Sequence, residues 1–349
     1  MSGDERPTGD ATKPAGDVTP SGATDPVDDA TLALLLEVAG TPKPGNVDRR
    51  RDLEDLRFEA FLGGAVGARP GLELAAGAAE EAEADGHSGV GGAFERAVEG
   101  MAARAGTNTQ FGCLLLLVPL VRVAADPERD LSPTGVDAVC RATTVDDAVA
   151  FYRAFEAVDV AVDDPPEGAA DLDVRRGSAA EPALRERGAT LRDVLALSAE
   201  PTGPDGDGDP DRVPDRNAAE WTGGFPRTFR AAEWILTDEG PLADRAARAF
   251  LGLLAAEPDT LVASTRGVET AREASERARA VLAPDGSDPT GPVGEVGAVD
   301  AESVHAADLG AAESLAESFV DEGINPGTTA DLTCAALFVA LRRGAEVAP

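Results

Sequence analysis

The stretch "TNTQFGCLLLLVPLVRVAA" (residues 107–125) decides the fold of this 349-residue chain. Its centre, "FGCLLLLVPLV" (111–121), is the longest apolar run. It is about half the ~20 residues needed to cross a bilayer. A helix that is apolar on every side is buried on every side, so this one reads as the core of a soluble domain, with other helices around it. The chain offers them. "DDATLALLLEVAG" (28–40) reads as a capped helix ending at Gly40, ahead of Pro42. "DLRFEAFLGGAVGA" (55–68), "GLELAAGAAEEAEA" (71–84) and "VGGAFERAVEGMAARAG" (90–106) continue the helical spacing. "TTVDDAVAFYRAFEAVDV" (143–160) opens on a threonine cap and keeps Val145, Ala148, Phe151, Tyr152 and Phe155 on one stripe. Further helices are expected at 190–199, 216–237, 241–256, 267–283, 299–320 and 328–343. Period-two alternation is almost absent. The expected fold is all-α, a single multi-helix domain.

Residues 1–27 carry Gly, Pro, Thr and Asp with almost no large apolar residue and read as a disordered acidic leader. The folded domain then spans 28–349, with surface insertions at 201–215 and 283–297, where Gly, Pro and Asp accumulate. Acidic residues outnumber basic ones by 64 to 31, for a net charge of −33. The excess is spread along the chain, and arginine almost replaces lysine, a pattern that suits a cytoplasm of high salt. At molar salt the Debye length falls to about 3 Å and this self-repulsion is screened. No basic stripe is available to neutralise phosphates, which excludes nucleic acid as a partner. The start of the chain lacks the apolar segment of a signal peptide, and no run is long enough for a membrane span, so the expectation is a cytoplasmic protein. Cys113, Cys140 and Cys334 read as buried reduced thiols, and two histidines give no zinc cluster. No oligomeric state follows from the sequence.

Lysine is the rarest charge. Lys13 lies in the leader, which leaves Lys43 as the only lysine of the folded part, in "TPKPGN" (41–46). Prolines on both sides and Gly45 make this a rigid turn. Arg49 to Arg51 follow, with Asp48 and Asp55 among the nearby acids. A retained lysine here suits a polyphosphate that needs a compact point charge, and the acids suit Mg²⁺; the competing reading is an ordinary basic turn paired with surplus acids. "GTNTQFG" (106–112) opens the core helix with free N–H groups. Asn108 and Gln110 there suit either a nucleotide or simple capping. "DEGINPGTTADLTCAALFVAL" (321–341) repeats the design, with Asn325 before its helix and Asp331 in the first turn; an acid there suits either a pocket shared by the two starts or plain dipole chemistry. "PDTLVASTRG" (258–267) places Asp259 and Arg266 around a short apolar run, and "EWTGGFPRTF" (220–229) offers Arg227; each alone reads as structural. "AVDDPPEG" (161–168) resembles the DDxxD motif of isoprenoid synthases, but Pro165 and Pro166 break the helix that motif requires.

Together these segments resemble the ATP:dephospho-coenzyme A triphosphoribosyl transferase family. "TPKPGNVDR" is similar to its PKPGLVDR signature and "GTNTQFG" to its G-x-N-T-H-K-G helix start. "DTLVASTRG" is similar to D-T-N-v-x-x-R-G, and "NPGTTADLTCAALF" to the closing S-P-G-G-S-A-D-L-L-A. The resemblance runs from about residue 30 to 343. It implies an all-α enzyme that transfers the triphosphoribosyl group of ATP to the 2′-hydroxyl of dephospho-CoA and releases adenine, with ATP as substrate and Mg²⁺ as cofactor. It further implies that Lys43 and Arg49 hold phosphates and that Asp48 and Asp55 bind Mg²⁺ or act as base. Asn108, Gln110 and Asn325 would bind nucleotide, and Asp259, Arg266 and Asp331 would line the pocket. Small-molecule nucleotides are then the partners. The chain departs from the family where Gln110 and Phe111 replace His-Lys and where Leu53 replaces the histidine of H-x-D-M. Two alternatives therefore stay open: an enzyme that transfers ribosyl groups or cleaves N-glycosidic bonds on a different nucleotide, and a non-catalytic nucleotide sensor.

Overall fold

The computed structural model describes residues 24–77, 89–166, 168–199, 213–283 and 299–347. Every regular element among them is helical, apart from isolated bridge residues such as the pair Asp48 and Arg51. Helix α1 (Pro26–Ala39) starts where Asp25 accepts from the Val27 amide at 2.8 Å, with Pro26 preset for the first turn. It is followed by α2 (Phe58–Ala75), α3 (Gly89–Ala105), α4 (Phe111–Ala125), α5 (Pro133–Arg141) and α6 (Val145–Ala154). Two 3₁₀ segments, Ala170–Leu172 and Val174–Ala180, lead to α7 (Glu181–Arg187) and α8 (Leu191–Ala199). The second half holds α9 (Arg216–Gly223), α10 (Pro226–Thr237), α11 (Leu242–Ala256), α12 (Thr260–Arg266) and α13 (Val268–Leu282). It closes with α14 (Ala301–His305), α15 (Leu309–Glu322) and α16 (Gly327–Arg342).

The apolar run of the opening stretch is α4, buried along almost its whole length. α16 is buried in the same way and packs against α4, α1, α10 and α11. One continuous core extends from Val27 on α1 to Leu341 on α16, which makes this a single all-α domain. The tightest helix pair is α2 with α3. Gly64, Gly67 and Gly71 recur on one face of α2, and Gly67 sits against Gly100. A Cβ built on Gly67 would lie 2.2 Å from the Gly100 carbonyl oxygen, and one on Gly100 would lie 2.1 Å from that of Gly67. The backbones touch there, so neither position has room for a side chain.

Several expected boundaries move. The single helix expected over 216–237 breaks into α9 and α10 at Gly224 (φ 75°) and Phe225 (φ 62°). Phe225 accepts the left-handed conformation because its ring is fully buried, and Pro226 starts the new helix. The helix expected over 299–320 divides into α14 and α15. The short helices α5, α7 and α12 have no counterpart in the expected set. Of the expected leader, residues 1–23 lie outside the described residues; Thr24 and Asp25 already belong to the fold, where the Arg342 guanidinium bonds to Thr24 and to Asp29 (2.8 Å). Of the expected insertions, 201–212 and 284–297 lie outside the described residues. Val213 is buried and Asp215 caps α9, so these are part of the packed domain.

Substituting Gly67 by alanine tests the α2–α3 contact. The obstacle is backbone, which cannot rotate away, so the variant is expected to lose about 1–3 kcal/mol in equilibrium urea denaturation. A loss below ~0.5 kcal/mol would show that the two helices are free to separate.

Candidate active site

Three polar helix starts and one rigid loop converge on a cavity of about 250 Å³. The starts belong to α4, α9 and α16, and the loop is 40–57 after α1. Among its lining residues is Asp331, which lies one turn further into α16 than the first-turn position expected from the sequence, because the helix starts at Gly327. Its Oδ2 accepts from Asn217 Nδ2 at 2.9 Å, and its Oδ1 accepts from the Cys113 thiol at 3.2 Å. Gly112 makes this seat possible: a Cβ there would fall 1.9 Å from Asp331 Oδ2 and 2.7 Å from Asn217 Nδ2. Burial pushes the Asp331 carboxyl up to about 7, against the opposing bonds from Asn217 and Cys113; the charges of Glu37 and Asp259 raise it further. The thiols of Cys113 and Cys334 face each other beneath it and stay protonated, both raised; for Cys113 the bond to Cys334 is the leading cause, for Cys334 burial.

Asp215 also lines the cavity. It caps α9 by accepting from the Asn217 and Ala218 amides at 3.0 and 3.2 Å, and burial raises its carboxyl above the usual range. Glu37, on the last turn of α1, contributes a third carboxyl group. Another part of the lining is aromatic: Phe155 packs edge to face on Phe111 and Phe151 at centroid separations of 4.9 and 5.2 Å, and Phe111 and Phe151 are tilted against each other at 6.4 Å. A narrower apolar cavity of about 140 Å³ continues past Phe155 and Asp215 and is walled by Val162, Pro165, Pro166 and Leu195. The "AVDDPP" segment is thus a wall of that cavity and is not helical. No Lys or Arg side chain lines the main cavity among the described residues. A larger, more open hollow near Arg122 and Asp147 carries none of the motif residues.

Lys43 is 1% exposed. Its ammonium group is taken up by Glu37 and by Asn46 Oδ1 (3.1 Å), so it does not reach the cavity as a free cation. Burial raises Glu37 while Lys43 opposes the rise. Asp48 is fully buried and serves the loop itself. It accepts from Thr41 Oγ1 (2.8 Å), the Arg50 amide (2.8 Å) and Arg51 (3.0 Å). With its oxygens engaged by these donors, Asp48 does not fit a Mg²⁺ ligand. Asp55 is exposed and does not line the cavity, and no group of three or more acids, histidines or cysteines suited to a metal occurs among the described residues. Gly45 (φ 71°) lets the loop press on Ile324, where any Cβ would lie 1.9 Å from the carbonyl oxygen. Asn46 Nδ2 then donates to Asn325 Oδ1 at 2.9 Å, which joins the loop to the start of α16.

Of the other expected residues, Asn108 and Asn325 line the cavity, and Asn108 also accepts from the Phe111 amide at 3.2 Å. Gln110 lies behind the wall, its amide donating to the Leu34 carbonyl at 3.3 Å. Asp259 caps α12 and clamps it to α16 by accepting from the Thr329 amide and hydroxyl, both at 2.7 Å; burial raises it as well. Arg49 and Arg266 are exposed and outside the cavity. Arg266 instead bonds the Glu322 carbonyl at 2.7 Å, because its side chain leaves the C-terminal end of α12 toward α15. Glu37, Asn46, Asp215 and Asn217 were not anticipated. Glu37 left one signal, a lone acid in the apolar run "LALLLEVAG". Asp215 and Asn217 left none, since they follow a charged, Pro-rich stretch.

An all-helical shell around an acid-lined, aromatic-walled cavity is the class of a small-molecule enzyme. The chain belongs to the ATP:dephospho-CoA triphosphoribosyl transferase family, whose sequence model matches residues 23–348. Among solved structures, that of a candidate triphosphoribosyl-dephospho-CoA synthase from Archaeoglobus fulgidus shares the fold at a TM-score of 0.55 and 23% identity, covering 81% of this chain and 98% of that one. No curated protein matches by sequence. The chain is therefore a transferase that moves the triphosphoribosyl group of ATP to dephospho-CoA. None of its described helices is long and apolar enough to cross a membrane.

The Lys43–Glu37 pair invites a double test. Lys43→Met leaves a buried carboxylate unpaired and is expected to cost about 3–5 kcal/mol in denaturant unfolding. Adding Glu37→Gln removes that charge and is expected to recover most of the loss. A lysine devoted to phosphate would leave stability nearly unchanged when removed.

Proposed function

We propose that the cavity holds the ribosyl centre of the reaction, with the phosphates outside it. The observation that carries this reading is the lining: three carboxyl groups, an aromatic wall and no cationic side chain among the described residues. Such a lining complements the positive charge that develops on ribose as an N-glycosidic bond breaks, and it repels a triphosphate. The C1′–N9 bond of ATP breaks, and a C1′–O bond to the acceptor's 2′-hydroxyl forms. Asp331, with its carboxyl near neutrality, takes the hydroxyl proton. Asp215, raised by burial and in the same cavity, returns a proton to the departing adenine. Phe111 and Phe155 offer a flat apolar wall for that base, and Asn108 and Asn325 supply hydrogen bonds to the nucleotide. Lys43 acts indirectly, by fixing Glu37 and the loop that carries Asn46.

Mg²⁺ enters as the companion of the triphosphate, since Asp48 and Asp55 do not form a site for it. The acid surplus suits a cytoplasm at molar salt. The second reading, a different acceptor, is favoured by Phe111, which fills with an aromatic wall a place where the family pattern has lysine.

Incubation with Mg·ATP, with and without dephospho-CoA, in molar and dilute KCl tests the assignment through chromatographic adenine. Adenine is expected only with dephospho-CoA. Release without it would favour another acceptor, and binding without release would favour a sensor. The pH profile provides the second test. A base works deprotonated, so kcat/KM is expected to rise with pH through about 7. Asp331→Asn is expected to lose about 10²–10⁴-fold and to flatten that inflection. An inflection that survives the substitution would remove Asp331 from the base role.

A further inference from the structure

We infer that Asn217 accepts a hydrogen bond from the acceptor's 3′-hydroxyl, and thereby restricts this transferase to ribosides whose hydroxyl next to the reacting one is free. The inference rests on Asp331 as the group that receives the acceptor's proton, and it adds the element that selects which riboside is placed there.

Asn217 is 9% exposed and lies on the second residue of α9. Its Nδ2 donates to Asp331 Oδ2 at 2.9 Å. Its Oδ1 is buried and has no partner. Rotating the amide does not cure this, because the oxygen would then face the Asp331 carboxylate and the lost donor would go unanswered. Most other buried polar atoms without a partner among the described residues are away from the cavity; only Asn217 and Thr109 combine such an atom with a place in its lining. A buried acceptor left open beside a reactive carboxylate calls for a donor that arrives with the ligand.

Ribose supplies that donor. Its two neighbouring hydroxyls match two neighbouring acceptors on one amide–carboxylate pair, one hydroxyl giving its proton to Asp331 and the other bonding to Asn217 Oδ1. Gly112 gives this amide–carboxylate pair its seat, since a Cβ there would fall 1.9 Å from Asp331 Oδ2 and 2.7 Å from Asn217 Nδ2. A phosphate at the 3′ position fails twice. At neutral pH it is mostly the dianion, which has no proton to offer Oδ1, and it enters a lining that holds Glu37, Asp215 and Asp331 and no cation among the described residues. The site thereby separates dephospho-CoA from CoA by one hydroxyl.

The measurement is adenine release with Mg·ATP and three acceptors: dephospho-CoA, its 3′-deoxy analogue and CoA. The wild-type protein is expected to favour dephospho-CoA over the 3′-deoxy analogue by about 10–100-fold in kcat/KM, and to show no turnover of CoA. In Asn217→Ala that preference is expected to shrink to within about threefold. If Asn217 only orients Asp331, the variant slows both acceptors equally and the ratio stays as in wild type; that overturns the inference. Should the variant fail to fold, the wild-type ratio decides alone, and a value near one, or turnover of CoA, overturns it too. Turnover of none of the three by the wild-type protein would instead overturn the reading of the reaction, and this inference with it.

Discussion

Asp331 sits against the bare backbone of Gly112, and this contact sets the positions of most of the site. A carboxylate 1.9 Å from where a Cβ would stand is possible only if α4 offers glycine at that turn. The start of α16 and the start of α4 then meet at the distance of one side chain. Asn217 brings in α9 as the third member. Burial lifts the carboxyl toward neutrality because the surrounding helices exclude water, and the charges of Glu37 and Asp259 add to the rise. The same exclusion holds Cys334 as a thiol, and its bond to Cys113, together with burial, does so for Cys113.

The loop after α1 answers to a different constraint, the solvation of a buried lysine. Lys43 is tolerated inside because Glu37 and Asn46 receive its protons, and Asp48 receives those of Thr41, Arg50 and Arg51. Lys43 is answered by Glu37 on α1 and by Asn46, Asp48 by Arg51 of the same loop, and Arg50 and Arg51 also reach Glu313 on α15. The loop is therefore a rigid block that seats Asn46 against Asn325.

The all-α class was legible because helical period and caps agree along the chain, and α4 in particular has no other use for so apolar a surface. Asn108, Asn325 and Asp331 were legible as polar, Gly-containing helix starts; that they would share a cavity was not, since convergence is a property of packing. Lys43 was visible through the rarity of lysine, but its partner Glu37 turned a presumed ligand cation into an internal ion pair. Arg49, Asp55 and Arg266 show the opposite limit. They adjoin motif residues in the chain and point elsewhere, because neighbours on a helix or loop face different directions. Asn217 was hidden by its surroundings, where polar residues are too common for one to stand out. Breaks such as that at Gly224 and Phe225 depend on where a ring finds the core, which local spacing does not encode.

The lining of the cavity draws on both ends of the described chain. α1 carries Glu37 and α16 carries Asp331, and these helices are tied together again by Arg342 and Asp29. During synthesis the ribosome releases α1 and the apolar α4 long before α16 exists to cover them. The nascent chain must therefore carry an open apolar face while the helices between α4 and α16 emerge, and it acquires core closure and active site together once α16 follows. Order of emergence, and not only final stability, is thus part of what this architecture demands of the cell that makes it.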